Sequence, residues 1–200
     1  MKNILITGAN RGIGLMFAQS FSSIANTVYA TVRDLNNCDE LKKIKNVEIL
    51  ELDLLSKNSI KTFCSELKDI PLDLILNNAG VFQDEQMEET NLDPDLWLDE
   101  VMINAVGPMT LTQKLRENLM SGVEKKVIFI SSQMGSVDDN HSGGYYFYRT
   151  SKSALNSAAR SLAIDWKADN ISVLMLHPGW VKTDMGGLKA KLEIEESVSC

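Results

Sequence analysis

Tyr148 and Lys152 stand four residues apart in Tyr148-Arg149-Thr150-Ser151-Lys152. On a helix, that spacing puts a phenol and an ammonium on one face. A nearby ammonium favours the phenolate, so the pair is expected to bring the Tyr148 pKa below its ordinary value of about 10. Such a tyrosine can give and take a proton near neutral pH. Taken alone, the pair is equally a solvated helix face, and its context decides. Two further stretches can do chemistry. Thr7-Gly8-Ala9-Asn10-Arg11-Gly12-Ile13-Gly14 joins an apolar run to a helical pattern. Glycines let a phosphate approach the backbone, and the N-terminus of the next helix offers free N–H groups and a positive dipole end. A tight turn that binds nothing is the alternative, but the strand–turn–helix setting favours a nucleotide site. Ser131-Ser132 closes another apolar run, and a hydroxyl at the mouth of a parallel strand is where such sheets place chemistry.

The elements that must position these residues can be read from apolar patterning. Residues 4–6, 27–32, 47–52, 72–76, 127–130 and 171–176 are short, largely apolar runs, as in strands buried on both faces. Helical periods alternate with them. They run through Leu15, Phe17, Ala18 and Phe21, through Leu41 and Ile44, and through Ile60, Phe63, Cys64 and Leu67. A long helix is expected over about 94–119, and another carries Tyr148, Ala154, Leu155, Ala158, Ala159, Leu162 and Trp166. Alternating strands and helices predict an α/β fold on a parallel sheet. Asn104, Gly107 and Pro108 lie close together in the long helix, which predicts a kink there. Residues 83–95 read as an acidic surface loop.

Two hundred residues suit one domain, 1–200, that holds both the binding and the reacting groups. The net charge of −7 argues against nucleic acid or an anionic membrane as the partner. Three cysteines without C-x-x-C spacing read as the reduced thiols of a cytoplasmic protein, with no metal framework. The start does not read as a signal peptide, and no run reaches membrane-spanning length. At the end of the second run, an acid would bind the ribose of NAD. Val32 stands there and cannot. Arg33 and Arg11 together suit a 2′-phosphate, while Asp34, about twenty residues past the glycines, is the competing observation. The two arginines favour NADP(H) over NAD(H).

The glycine spacing is T-G-x-x-x-G-x-G, and it resembles the short-chain dehydrogenase/reductase family. Asn77-Asn78-Ala79-Gly80, Ser132, Tyr148-x-x-x-Lys152 and Pro178-Gly179-Trp180-Val181-Lys182-Thr183 follow in that family's order. The crowding of Tyr145, Tyr146 and Tyr148 before Lys152, with the Pro-Gly-Trp segment, is most similar to the C-factor/sniffer-type carbonyl reductase branch. The resemblance implies a Rossmann-type doubly wound sheet of order 3-2-1-4-5-6. It implies that Gly8, Asn10, Arg11, Gly12, Ile13 and Gly14 hold the cofactor phosphates and that Arg33 lies at the ribose. Asp53 and Leu54 would meet the adenine, although a loop or N-cap carboxylate is the alternative for Asp53. Asn78, Ala79 and Gly80 would carry the adenosine half, and Pro178, Gly179, Val181 and Thr183 would cover the nicotinamide.

The mechanism implied is hydride transfer from NADPH to a carbonyl carbon. Tyr148 gives the proton, and Ser132 holds the same oxygen. Ser132 is preferred to Ser131 because alternation aims only one of the two into the cleft. Lys152 would depress the tyrosine pKa and bind the nicotinamide ribose, so Tyr148 and Lys152 also touch the cofactor. Asn104 would bend its helix and support a water-linked relay; a helix irregularity with a buried amide is the alternative. The family usually continues with a seventh strand, whereas 188–198 supplies a short helix and no clear strand. Six strands are therefore expected, with the sixth at an exposed edge. The expected activity is reduction of a small carbonyl compound. A C-factor-like signalling protein with little turnover is the alternative, and a lyase or epimerase is a weaker one. The alanine stripe beyond Tyr148 leaves a homodimer open.

Overall fold

The computed structural model describes residues 2–84 and 92–199, so most of the expected acidic loop lies outside the described residues. Six strands form the sheet: β1 (Asn3–Ile6), β2 (Thr27–Val32), β3 (Val47–Glu51), β4 (Leu74–Asn77), β5 (Lys126–Ile130) and β6 (Ser172–Leu176). Every pairing is parallel, in the order β3-β2-β1-β4-β5-β6, the doubly wound sheet expected. The inner strands are apolar throughout because they are covered on both faces. In β1, Leu5 enters one core while Ile4 and Ile6 enter the other. In β4, Ile75 faces one way while Leu74 and Leu76 face the other. This is the period of two that a pleated strand imposes.

Helices fill the two faces unequally. α3 (Lys57–Glu66), α5 (Gly107–Lys114) and α7 (Tyr146–Asp165) give Ile60, Phe63, Leu111, Leu155, Ala159 and Leu162 to the first core. α1 (Gly12–Ser22) and α2 (Asp39–Lys42) give Ala18 and Leu41 to the second. Burying each such leucine or isoleucine stabilises the fold by roughly 1.5–3 kcal/mol. β6 is the least covered strand, and its Leu174, Met175 and Leu176 remain exposed at the sheet edge. Asp73, buried just before β4, fastens three strand beginnings. Its carboxylate accepts from Asn3 N at 2.9 Å, Val123 N at 2.8 Å and Glu124 N at 3.1 Å.

The long helix expected over 94–119 is broken. α4 (Pro94–Val101) leads into a π-helical turn, Met102–Val106, then α5, then α6 (Arg116–Ser121). The kink lies where Asn104 and Gly107 stand, and an inserted π turn is one of the recognised ways to make it. A Cβ on Gly107 would lie 2.7 Å from Leu54 O, so the bent helix also packs closer to the sheet than a side chain would allow. α8 (Ile194–Val198) is the short final helix, packed against α1. Among the described residues, no helix is long and apolar enough to cross a membrane.

Candidate active site

The strands end together on one side of the sheet, and a cleft of about 1030 Å³ opens there. Such crevices lie where the strand order reverses, here between β1 and β4. The turn after β1 is held to the end of β4 by reciprocal bonds. Thr7 Oγ1 accepts from Asn78 N and Ala79 N, both at 3.0 Å, and Asn78 Nδ2 donates to Thr7 O and Gly8 O, both at 3.0 Å. This closeness dictates glycine. Gly8 has φ +65°, and a Cβ on it would lie 2.9 Å from Ala79 Cα. A Cβ on Gly14 would lie 2.2 Å from Gly8 O and 2.5 Å from Asn78 Nδ2. α1 starts at Gly12 without a side-chain cap, so its first N–H groups are left for a ligand.

The predicted binding residues come together almost completely. Gly8, Asn10, Arg11, Gly12, Ile13, Gly14, Arg33, Asp53, Leu54, Asn78, Ala79, Gly80, Tyr148, Lys152, Pro178 and Thr183 all line the cleft. Gly179 and Val181 are not among the lining residues and pack on Leu192 instead. A Cβ on Gly179 would lie 2.4 Å from Leu192 Cδ1, and buried Val181 forms a bridge with Leu192. The segment turns there, with Gly179 at φ +85°, and Lys182, Thr183 and Asp184 take the cleft wall.

At the outer end, Asp34 is occupied by its own turn. Its Oδ1 accepts from Asn36 N and from Asn36 Nδ2, both at 2.9 Å. Arg33 lines the cleft and makes no ion pair among the described residues. Arg11 pairs with Asp184 across the cleft mouth. Both partners are more than 70% exposed, so the pair is weak and readily exchanged. Asp53 Oδ1 accepts from Leu55 N at 2.9 Å, while the cap of α3 is Ser56.

At the inner end, Lys152 is buried and its Nζ donates to Ile130 O at 2.9 Å. It stands 5.5 Å from the centroid of the Tyr148 ring. The Ser132 side chain reaches the Tyr148 hydroxyl, and Ser132 Oγ also accepts from Met134 N at 3.1 Å. Ser131, and not Ser132, lines the main cleft, contrary to the alternation argument, but its hydroxyl donates to Asn156 Oδ1 at 2.6 Å; Ser132 lines the smaller adjoining hollow. Asn104 is buried. Its Oδ1 accepts from Val81 N at 2.8 Å, and its Nδ2 donates to Val81 O at 2.9 Å and to Ser151 Oγ at 3.0 Å. A Cβ on Gly80 would lie 3.1 Å from Asn104 Oδ1 and 3.6 Å from Lys152 Nζ, which shows how closely these groups converge.

The electrostatics differ from the expectation of a depressed tyrosine. Burial pushes the Tyr148 phenol up to about 12; Ser132 works against that and the Glu100 charge adds to it. Burial also pulls the Lys152 ammonium down to about 8, although Glu100 opposes the shift. Spacing on a helix sets which groups meet, but desolvation penalises both charged forms. Without a ligand, the pair is a phenol beside a weakly held ammonium.

A family model described as short chain dehydrogenase matches residues 2–193. The chain belongs to the short-chain dehydrogenase family. Within that family it is similar to C-signal of Myxococcus xanthus, at 37% identity over 150 residues that cover 70% of this chain and 83% of that one. Among solved structures, carbonyl reductase Sniffer of D. melanogaster has 34% identity and a TM-score of 0.90, with 100% of this chain and 89% of that chain covered. An NADPH-bound carbonyl reductase from chicken fatty liver has 32% identity and a TM-score of 0.91, with 100% and 84% covered. Membership makes the chain an oxidoreductase by class.

Several residues around the site of this short-chain dehydrogenase were not singled out from the sequence. Asp84 caps α7, accepting from Phe147 N at 3.1 Å and Tyr148 N at 2.9 Å. α7 needs this remote cap because Tyr145, just before it, sits at φ +53° and offers no side-chain cap. Phe82 packs edge-on to Tyr148 with centroids 5.1 Å apart. Glu100, fully buried, accepts from Gln83 N at 2.9 Å. The available signal was a carboxylate one turn before Asn104, but in sequence it reads as one more acid on a polar helix.

Proposed function

We propose that this short-chain dehydrogenase is an NADPH-dependent reductase of carbonyl compounds. The observation that carries the reading is the inner end of the cleft, where the Ser132 side chain meets the Tyr148 hydroxyl beside buried Lys152. The residues fit the cofactor. A backbone cradle that excludes any Cβ at Gly14 and uncapped N–H groups of α1 suit a pyrophosphate. Arg33, which makes no ion pair among the described residues, suits a 2′-phosphate at the ribose end. Asp34, which would repel that phosphate, is spent on its own turn. Bound there, NADPH supplies the hydride that reduces the carbonyl carbon.

The protein's own groups handle the oxygen and the proton. Ser132 donates a hydrogen bond to the carbonyl oxygen and fixes its place. Tyr148 gives that oxygen its proton, and a phenol pushed up to about 12 is in its protonated form at neutral pH. Lys152 binds the nicotinamide ribose and returns the proton to Tyr148. Asn104 holds residue 81 against α7, and its place in the π-helical turn suits the start of a water-linked relay to Lys152. The substrate is a small molecule.

The test is calorimetric titration of the protein with NADPH and with NADH, followed by a carbonyl screen with Tyr148→Phe as control. Tighter binding of NADPH, with turnover reduced by about 10²–10⁴-fold in the variant, is the expected result. Turnover that survives Tyr148→Phe would sink the mechanism. A second reading, a cofactor-binding signalling protein with little turnover, is favoured by the likeness to C-signal. NADPH binding with no reduction of any carbonyl offered would bring it forward.

A further inference from the structure

Tyr148 is the third residue of α7, so the proton donor of the proposed reaction sits in the turn that the helix itself holds least. The first N–H groups of a helix have no partner within it. The first backbone bond of α7 runs from Arg149 N to Tyr145 O at 2.9 Å, which leaves the N–H groups of Phe147 and Tyr148 to be met from outside. The chain that enters α7 supplies no cap of its own. Gly143 and Gly144 have φ +69° and +65°, and a Cβ on either would meet nothing within 4 Å. Tyr145 follows at φ +53° without a side-chain cap.

Asp84, 63 positions before Phe147, supplies the cap. Its Oδ1 accepts from Phe147 N at 3.1 Å and its Oδ2 from Tyr148 N at 2.9 Å. A carboxylate there also suits the positive end of the helix dipole. Two residues before it, Phe82 meets the Tyr148 ring edge-on with centroids 5.1 Å apart, and the Tyr145 ring at 5.7 Å. The segment that carries these two side chains is itself fixed. Val81 N donates to Asn104 Oδ1 at 2.8 Å, and Val81 O accepts from Asn104 Nδ2 at 2.9 Å. Gln83 N donates to Glu100 Oε2 at 2.9 Å. The backbone and the ring of Tyr148 are thus both held by residues 82–84. Phe82, Gln83 and Asp84 are not among the residues that line the cleft.

We infer that Asp84 is a positioning residue for Tyr148. Its carboxylate, with the Phe82 ring, holds the first turn of α7 where the phenol reaches Ser132 and the substrate oxygen. The inference rests on the reading of Tyr148 as the proton donor. The rest of α7 does not need Asp84. Phe147 is fully buried and stacks on Trp97 with centroids 5.2 Å apart, and Trp97 Nε1 donates to Thr150 Oγ1 at 2.7 Å. Leu155, Ala159 and Leu162 lie in the core. Successive residues of a helix point about 100° apart, so the Phe147 contacts place the helix without fixing the side that carries Tyr148. Loss of the Asp84 carboxylate should therefore loosen the first turn and leave the fold. A displacement of about 1 Å at a reacting group costs about 10²-fold in rate.

The experiment compares Asp84→Ala and Asp84→Asn with Asp93→Ala, which removes the cap of α4 instead; Asp93 Oδ1 accepts from Asp95 N at 2.9 Å. Amide hydrogen exchange of the full chain, followed by nuclear magnetic resonance, reads the cap directly. Asp84→Ala should speed exchange at Phe147 and Tyr148 by about 2–30-fold, the worth of a helix cap, and leave Leu155, Ala159 and Leu162 protected. Its kcat should fall by about 10–100-fold, while the Kd for NADPH stays as in the parent. Asparagine keeps one of the two acceptors, so Asp84→Asn should fall between the parent and Asp84→Ala in both readouts; it decides the matter if Asp84→Ala does not fold. Asp93→Ala should lower thermal stability and leave kcat alone. Unchanged exchange at Phe147 and Tyr148, or faster exchange with kcat unchanged, overturns the inference. So does a loss of NADPH binding that matches the loss of kcat, or an equal loss of kcat in Asp93→Ala. If the parent reduces no carbonyl, the carbonyl reductase reading has failed, and the ring signals of labelled Tyr148 take the place of kcat. They should shift in both Asp84 variants and stay in place in Asp93→Ala; ring signals that Asp84→Ala does not move overturn the inference.

Discussion

Replacing Gly14 by alanine sets two effects of opposite sign against each other. Gly14 lies in α1, and alanine is favoured over glycine in a helix by about 1 kcal/mol. Propensity alone would therefore stabilise the protein. The packing says otherwise. The new Cβ would stand 2.2 Å from Gly8 O and 2.5 Å from Asn78 Nδ2, and neither is the free end of a flexible side chain. The turn would have to move, and the two bonds from Asn78 Nδ2 to Thr7 O and Gly8 O would go with it. Two neutral hydrogen bonds are worth about 2 kcal/mol together, and overpacking costs about 1–3 kcal/mol. Less the gain in propensity, the variant should lose about 2–4 kcal/mol. For a chain of this size that lowers Tm by roughly 5–15 °C. Thermal unfolding measures it, and NADPH titration should show the phosphate cradle weakened as well. Gly143→Ala is the control: nothing lies within 4 Å of its Cβ, and only its φ of +69° is unfavourable, so it should cost about 1 kcal/mol and leave NADPH binding alone. A Gly14→Ala protein as stable as the parent would refute the close-approach argument.

Arg33→Ala should weaken NADPH by about 10–100-fold, the worth of one or two hydrogen bonds to a charged group, and leave NADH nearly unchanged; calorimetry on both cofactors decides it, and equal losses would remove Arg33 from the phosphate site. Asp73 bears on acid stability. Its burial raises its pKa, but the N–H groups of Asn3, Val123 and Glu124 outweigh this and hold it below the ordinary value. A depressed folded pKa gives stability that is present above the unfolded value of about 3.9 and is lost as pH falls through the folded one. Urea unfolding at a series of pH values from about 6 downward should therefore show stability falling below about 4, with a shallower fall in Asp73→Asn. An unaltered slope in the variant would mean that other carboxylates carry the acid response.

Much of the fold could be read because buried parallel strands have no polar face to confuse the pattern. Each apolar run between turns became a strand, with ends displaced by no more than two residues. The glycine turn could be read for a related reason, since Gly8 and Gly14 face contacts of 2.2–2.9 Å that no side chain survives and Gly12 sits at φ +55°. What could not be read depends on burial and on bends. The Tyr148 pKa was expected to fall because spacing shows the lysine; it rises because spacing does not show the desolvation. Gly179 and Val181 were placed by motif, whereas a turn with Gly179 at φ +85° brings both against Leu192. Glu100 follows Asp95 and Asp99 in a stretch that reads as a solvated helix face. In the structure it is interior, with Gln83 N and Asn104 Nδ2 donating to it.

The Arg11–Asp184 pair spans 173 positions of sequence, and the cleft it closes is lined from both ends of that interval. During synthesis, the phosphate cradle leaves the ribosome early, but its opposite wall does not exist until residue 184 has followed it. A dinucleotide therefore cannot serve as a template for the first folding steps, and it meets a complete site only after the last strand has docked. Contacts this distant in sequence are also the slow ones to form. The cofactor thus acts on the finished protein, as a ligand that shifts the unfolding equilibrium by mass action.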